Sequence, residues 1–282
     1  MGKNKHPYWV SVTQGQEEIF LTDRFPLRLI EVKTPLGKEK IKGTSFTGQD
    51  GEIVFPPTYE AFNLEMDFQL MAVDNYDYHL LIAELKSILC QNTPYFVRHE
   101  KLPSRKYAVN TCEINTTRKS ANVAGITLIF NCFKGVSESL YTSTTPLTYD
   151  EAAWGVGLNL PEGEDLQYVF SNEPIFNVYN PSDMRLNPRF HPLSIALTCD
   201  SVQGENIRIY NRTNGTLFEL KKQIKKKDVL LIDGVYPYLN DVRCGIDTNH
   251  GLITLERGWN RVQIINATNT TIAFDTPFFY RG

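Results

Sequence analysis

Between Phe62 and Ala72 the chain reads "FNLEMDFQLMA", and its apolar residues fall on every second position. Phe62, Leu64, Met66, Phe68, Leu70 and Ala72 alternate with Asn63, Glu65, Asp67 and Gln69. A period of two sends alternate side chains to opposite faces of a strand, so one face suits a core and the other suits water. The run is about twice the ~5–6 residues of an ordinary strand. Shorter stretches of similar texture predict strands at 8–12, 18–22, 27–33, 41–47, 59–72, 94–100, 106–115 and 124–133, punctuated by "TPLGKEK", "TGQDGE" and "KLPSRK". One segment follows the other period. In "DNYDYHLLIAELKSILCQ" Tyr78, Leu81, Leu85 and Ile88 recur at helical spacing, with Asp74 or Asn75 placed to cap the start and Lys86 near the end. This predicts one amphipathic helix whose apolar stripe seals a face or end of the sheet.

After Phe133 the periodicity lapses. "KGVSESLYTSTTPLTYDEAAWGVGLNLPEGED" is rich in Ser, Thr, Gly and Pro, which reads as a linker with a domain boundary near residue 145. Strands return at 166–170, 174–179, 191–198, 206–211, 216–221, 228–233, 251–256, 261–265, 271–275 and 277–281, with no helical segment among them. The fold class that follows is mainly β. Residues 1–145 form a β-sandwich with one α-helix, and residues 146–282 form a second sandwich of jelly-roll type.

Composition agrees with this picture. The 282 residues are 41% hydrophobic and 12% aromatic, enough to fill two cores, and a net charge of −3 provides no overall basic field for nucleic acid. No apolar run approaches the ~20 residues of a membrane-spanning helix. The opening "MGKNKHPYWVSVTQ" lacks the apolar centre of a signal peptide, so the expectation is a soluble chain made in the cytosol. Cys90, Cys112, Cys132, Cys199 and Cys244 make no CxxC pair and read as reduced thiols acting as small hydrophobes. The N-x-T triplets at Asn115, Asn211, Asn214, Asn266 and Asn269 then mark turns rather than glycosylation.

Catalytic chemistry is hard to find. His6, His79, His99, His191 and His250 belong to no HExxH and stand at no metal-ligand spacing; there is no GxSxG, and "GVG" at 155–157 lies in the linker. Glu17 with Glu18 and Glu162 with Glu164 read as surface-loop pairs. The expectation is no enzyme activity, no cofactor and no metal. "KKQIKKK" at 221–227 reads as a solvated strand-turn-strand edge whose lysines discourage stray sheet pairing. Trp259 in "ERGWNRVQI", Tyr236 and Tyr238 in "GVYPYLN", and Trp154 offer aromatic faces to a sugar, although Trp259 also suits packing at a sandwich end.

Longer stretches carry a family resemblance. "PLRLIEVKTPLGKEKIKGTSFTGQDGEIVFPPTYEAFNLEMDFQLMAVDNYDYHLLIAELKSIL" orders an early strand pair, a G-x-DG turn, a long alternating strand and a helix. That order resembles the N-terminal half of the distal tail proteins of long-tailed, non-contractile bacteriophages. "IFNVYNPSD" and "HPLSIALT", followed by "NIRIYNRTNGTLFEL", "KKDVLLID" and "GLITLERGWNRVQI", resemble the C-terminal module of the same family. The resemblance covers nearly the whole chain and rests on order and texture rather than an invariant motif. It implies an N-terminal sandwich that closes into homohexameric rings and a galectin-like C-terminal sandwich on the ring's outside. "NPRFHPLSI" and "NIRIYN" do not reproduce the alternating His, Asn and Arg with which galectins hold sugar.

The resemblance further implies a structural virion component, a baseplate hub at the distal tail tip, assembled in the host bacterial cytoplasm. Its implied partners are copies of itself, the tail tube protein, the central tail-tip protein and a receptor-binding protein of the adhesion device, with no membrane and no specific nucleic acid. Closing a ring of identical subunits requires a head-to-tail interface, and a long ribbon could pair with a neighbour. Asn63, Glu65, Asp67 and Gln69 are accordingly the candidate subunit-interface or channel face; the plain alternative leaves that face in solvent. The alternative function is a carbohydrate-binding module attaching the particle to a host wall polysaccharide, with Trp259 as its sugar contact.

Overall fold

The computed structural model describes residues 8–34, 39–40, 43–48, 50–54, 58–146, 154–155, 157–161, 164 and 166–282. They group into two compact units, Met1–Glu138 with Arg281–Gly282, and Ser139–Tyr280.

The first unit contains β1 (Val10–Gln14), β2 (Glu17–Phe20), a one-turn α1 (Leu21–Arg24), β3 (Leu27–Lys33), β4 (Glu39–Lys40), β5 (Gly43–Thr44), β6 (Ile53–Val54), β7 (Thr58–Tyr59), β8 (Phe62–Met71), α2 (Asn75–Leu89), β9 (Tyr95–His99), β10 (Arg105–Arg118) and most of β11 (Val123–Thr142). Its main sheet runs β2-β1-β9-β10-β11-β8-β3, with two small ladders, β4·β7 and β5·β6, beside it. The alternation read from the sequence is realised on β8, where Phe62, Leu64, Met66, Phe68 and Leu70 are buried. They share one core with Val10 and Val12 of β1, Leu27 and Leu29 of β3, Val97 of β9, and Tyr78, Leu85, Ile88 and Leu89 of α2.

The helix forms where it was expected. The Asp74 carboxylate accepts the Asp77 N–H at 2.8 Å, and Asp77 in turn accepts the Val73 N–H at 2.8 Å. Donors that the first turn leaves without partners are thereby satisfied. Burying its four core side chains contributes roughly 6–12 kcal/mol before ordering entropy is subtracted.

Three differences from the sequence expectation have physical causes. The strand expected over 18–22 stops at Phe20, and α1 turns Leu21 fully into the core. β11, expected to end at Phe133, runs on to Thr142. Its extension buries Ser137, Glu138 and Ser139, so no apolar period marks it. Gly135 permits the extension: it sits at φ 70, and a Cβ there would come within 2.6 Å of the Glu60 carbonyl. The strand expected over 41–47 is reduced among the described residues to Gly43–Thr44.

The second unit contains β12 (Val169–Ser171), β13 (Ile175–Asn180), β14 (Ser194–Ser201), β15 (Ile207–Asn211), β16 (Thr216–Leu220), β17 (Leu230–Asp233), β18 (Tyr236–Leu239), β19 (Val242–Arg243), β20 (Gly258–Ile265), β21 (Ala267–Asp275) and β22 (Pro277–Tyr280). A six-stranded sheet, β12-β21-β14-β17-β18-β19, faces a four-stranded sheet, β13-β20-β15-β16. Phe176 of β13 stacks on Phe170 of β12 at 4.2 Å and meets Phe274 of β21 at 6.1 Å, so the inner faces of the two sheets interdigitate. This is a β-sandwich, and the fold is mainly β as the patterning required.

Here too some expectations yield. Residues 251–256 form no strand beyond an isolated bridge, Leu186↔Leu255. β18 escapes pattern reading because Pro237 interrupts it; the proline has no N–H to give, and its carbonyl accepts Cys244 N at 3.0 Å. "KKQIKKK" is a pinned loop rather than a sheet edge. Ile224 is buried, while the N–H groups of Ile224, Lys225 and Lys226 bind Ser201 Oγ, Asp228 Oδ2 and Asp200 Oδ1. Asn266 and Asn269 have left-handed backbones at φ 64 and 52, as residues in turns do.

Candidate assembly face

The polar side of β8 looks away from the core of the first unit, and its neighbours on both sides are known. Phe62–Met71 pair with Cys132–Val123 of β11, and Glu65–Leu70 pair with Lys33–Leu27 of β3. The strand is therefore an inner one, with both main-chain edges used inside the unit from Glu65 to Leu70. It does not reach out as a free ribbon; what it presents outward is side chains.

Those side chains form a short polar network. Asp67 accepts Lys33 Nζ at 2.7 Å and Thr127 Oγ1 at 2.6 Å, and Asn63 Oδ1 accepts Asn131 Nδ2 at 3.2 Å. Glu65 stands opposite Ile129 and Lys33, and Gln69 opposite Gly125 and Arg28. The Lys33 hydrogen bond, followed by that of Thr127, holds the Asp67 carboxyl below the usual carboxylate value. Lys33 is raised by the same hydrogen bond. The structure thus places all four predicted residues on one face, and it spends Asp67 and Asn63 on neighbouring strands.

Pattern reading missed the apolar residues that this unit leaves in solvent. Ile30 is 59% exposed where the β3 register shifts between Leu29 and Glu31, a bulge that alternation cannot foresee. On α2, Tyr76 and Leu80 are four residues apart and outward, with Val73 just ahead; these three are 69–81% exposed. Large apolar side chains left outward at helical spacing are unusual on a surface with no partner. Tyr76 and Leu80 lay within the predicted helix, but only the packed structure shows which stripe is the spare one.

In the second unit, Trp259 lies within β20 rather than ahead of it. It pairs across the ladder with Tyr179 and is 45% exposed. The other aromatic candidates are occupied. Trp154 is buried and donates to the Pro146 carbonyl at 3.1 Å, and the Arg243 guanidinium lies over Tyr236 and Tyr238 at 4.6 and 5.9 Å. Among the described residues no cluster of His, Cys, Asp and Glu could hold a metal, and no helix is long and apolar enough to cross a membrane. Glu162 lies outside the described residues.

Residues 15–132, which include the whole of β8 and α2, match the family model described as the phage tail protein RIFT-related domain. That stretch of the first unit is therefore similar to a phage tail domain. The chain shares the fold of the phage SPP1 Dit protein, with a TM-score of 0.65 and 14% identity over 95% of this chain and 99% of that one. That protein is described as a paradigm of the hub adsorption apparatus in phages infecting Gram-positive bacteria. A chain of the phage p2 baseplate, in its activated conformation with Sr, aligns over 96% of this chain and 97% of its own at 7% identity and a TM-score of 0.41. No curated protein matches the sequence. The resemblance to distal tail proteins is thus borne out, by the family-model match over residues 15–132 and by the fold of the chain as a whole.

Proposed function

We propose that this protein is a structural hub of a phage tail tip, a virion component without catalytic chemistry. In this reading the phage tail domain assembles with copies of itself into a sixfold ring joining the tail tube protein to the central tail-tip protein. The second unit, a galectin-like sandwich, is carried outward toward the adhesion device and its receptor-binding protein. The division between the ring-forming and outward parts falls near residue 145. Asn63, Glu65, Asp67 and Gln69 line the channel or meet the next subunit, and the protein is assembled in the host cytoplasm.

The observation that carries this reading is the coincidence of a phage tail family match over residues 15–132 with a fold match to a phage hub protein. Shape and valency supply the function, since a ring needs only a heterologous interface whose rotation closes. The mass in solution tests it. The purified protein, alone and co-expressed with its tail tube and tail-tip partners, should run as a closed oligomer in at least one combination. A monomer in all of them, at low and physiological salt, refutes the hub.

A further inference from the structure

The outer face of the four-stranded sheet carries side chains that the fold leaves unused. Three cross-strand pairs lie side by side along β13 and β20: Tyr179 with Trp259, Asn177 with Arg261, and Ile175 with Gln263. Residues two apart on a strand share a face, so Trp259, Arg261 and Gln263 project together. The intervening Asn260, Val262 and Ile264 are buried. On the next strand Tyr210 stands opposite Gln263, and just past that strand the Arg212 N–H donates to the Arg261 carbonyl.

Trp259 meets Tyr179 edge-on at 4.9 Å, which leaves much of the indole in water. Around it, the side chains of Asn177, Arg261, Gln263 and Arg212 make no hydrogen bond or ion pair among the described residues. The acid on the same sheet, Glu219, is engaged by Arg208 at 2.7 Å. The face therefore offers an exposed aromatic plate, two planar amides and two free guanidiniums, with its carboxylate already neutralised.

Each of these has a chemical counterpart in one ligand class. An indole takes the apolar C–H face of a sugar ring. Asn and Gln both donate and accept, as vicinal hydroxyls require. A guanidinium grips a carboxylate or phosphate with two parallel hydrogen bonds. We propose that this face binds an anionic glycan, a saccharide chain bearing carboxylate or phosphate groups, with its ring on Trp259 and its acid on Arg261. The site does not depend on ring assembly and adds a recognition surface to the second unit.

The test titrates the full-length protein at physiological salt, which screens loose charge pairing. Four probes are used: tetragalacturonate, maltotetraose bearing phosphate monoesters, unmodified maltotetraose and polyglutamate. The expected result is saturable binding of at least one acidic saccharide, the tighter one naming the acid, with the other two probes clearly weaker. Trp259→Ala and Arg261→Gln should each weaken it by roughly tenfold or more, as loss of a central aromatic or Arg anchor does. Both variants should keep the parent's circular dichroism and its assembly with tail partners. The proposal is overturned if neither acidic saccharide binds, if maltotetraose or polyglutamate binds as tightly, or if both variants bind like the parent.

Discussion

In the second unit Asn180, Asn211 and Asn260 are fully buried, and their amides are used throughout. Asn180 donates to the Met184 and Leu255 carbonyls and accepts Ser182 N–H. Asn211 donates to the Thr254 carbonyl at 2.8 Å and to Asn260 Oδ1 at 3.0 Å. Asn260 donates to the Glu256 and Gly258 carbonyls and accepts Glu256 N–H. In the first unit the buried His99 has no partner at either ring nitrogen among the described residues, and neither does the Thr22 hydroxyl. His99 instead stacks on Tyr107 at 5.6 Å and 18° between planes. The contrast shows two ways of closing a β core. Residues 251–256 lack a ladder, so side-chain amides take the place of strand partners. The first unit has its ladders and tolerates an imidazole as a flat apolar ring.

The predictions probe that contrast. Phe68→Ala empties the centre of the first unit's core and should destabilise it by roughly 3–5 kcal/mol in urea unfolding; a smaller loss would mean that β8 is not its keystone. Acid comes next. Burial, then Lys101, lowers the His99 pKa from 6.5 to about 4. The folded state keeps His99 neutral, while the unfolded chain takes up its proton below pH 6.5. This contribution to stability is therefore complete above pH 6.5 and is lost as pH falls toward about 4, on the order of 3 kcal/mol. His99→Phe should flatten that part of the pH profile, and an unchanged profile would remove the imidazole from the account.

Asn260→Ala should cost about 2–3 kcal/mol, because it strips partners from the Glu256 and Gly258 carbonyls, the Glu256 N–H and the buried Asn211 amide. Hydrogen exchange should locate the loss there; if stability holds, the amides are not substituting for a strand. The smallest effect belongs to the Lys33–Asp67 pair, whose side chains are 49% and 26% exposed. Asp67→Asn should cost no more than about 1 kcal/mol. That increment is present above the ordinary carboxylate range and fades as pH falls below it, since the folded pKa is lowered. Reversing both Glu65 and Asp67 to Lys should leave the monomer folded and alter assembly with tail partners. Assembly unchanged at low and physiological salt would return this face to plain solvent.

What the sequence determined by itself was local. Alternation over residues 62–72 set β8 and which of its faces is buried, and the 3.6-residue period with Asp74 set α2, because both signals lie within a few residues of one another. The Ser-rich end of β11 was hidden because its buried side chains are polar, and β18 because Pro237 interrupts it and only Leu239 is buried. Only the tertiary structure decided that β8 is an inner strand, that Lys33 and Thr127 hold Asp67, and that Asn211 and Asn260 stand in for a ladder. It alone gathered Asn177, Trp259 and Arg261 on one face, with Asn177 and Arg261 directly opposed. Register between strands is a nonlocal quantity. It is set by how whole faces pack, and no spacing along one strand encodes which residue will lie opposite.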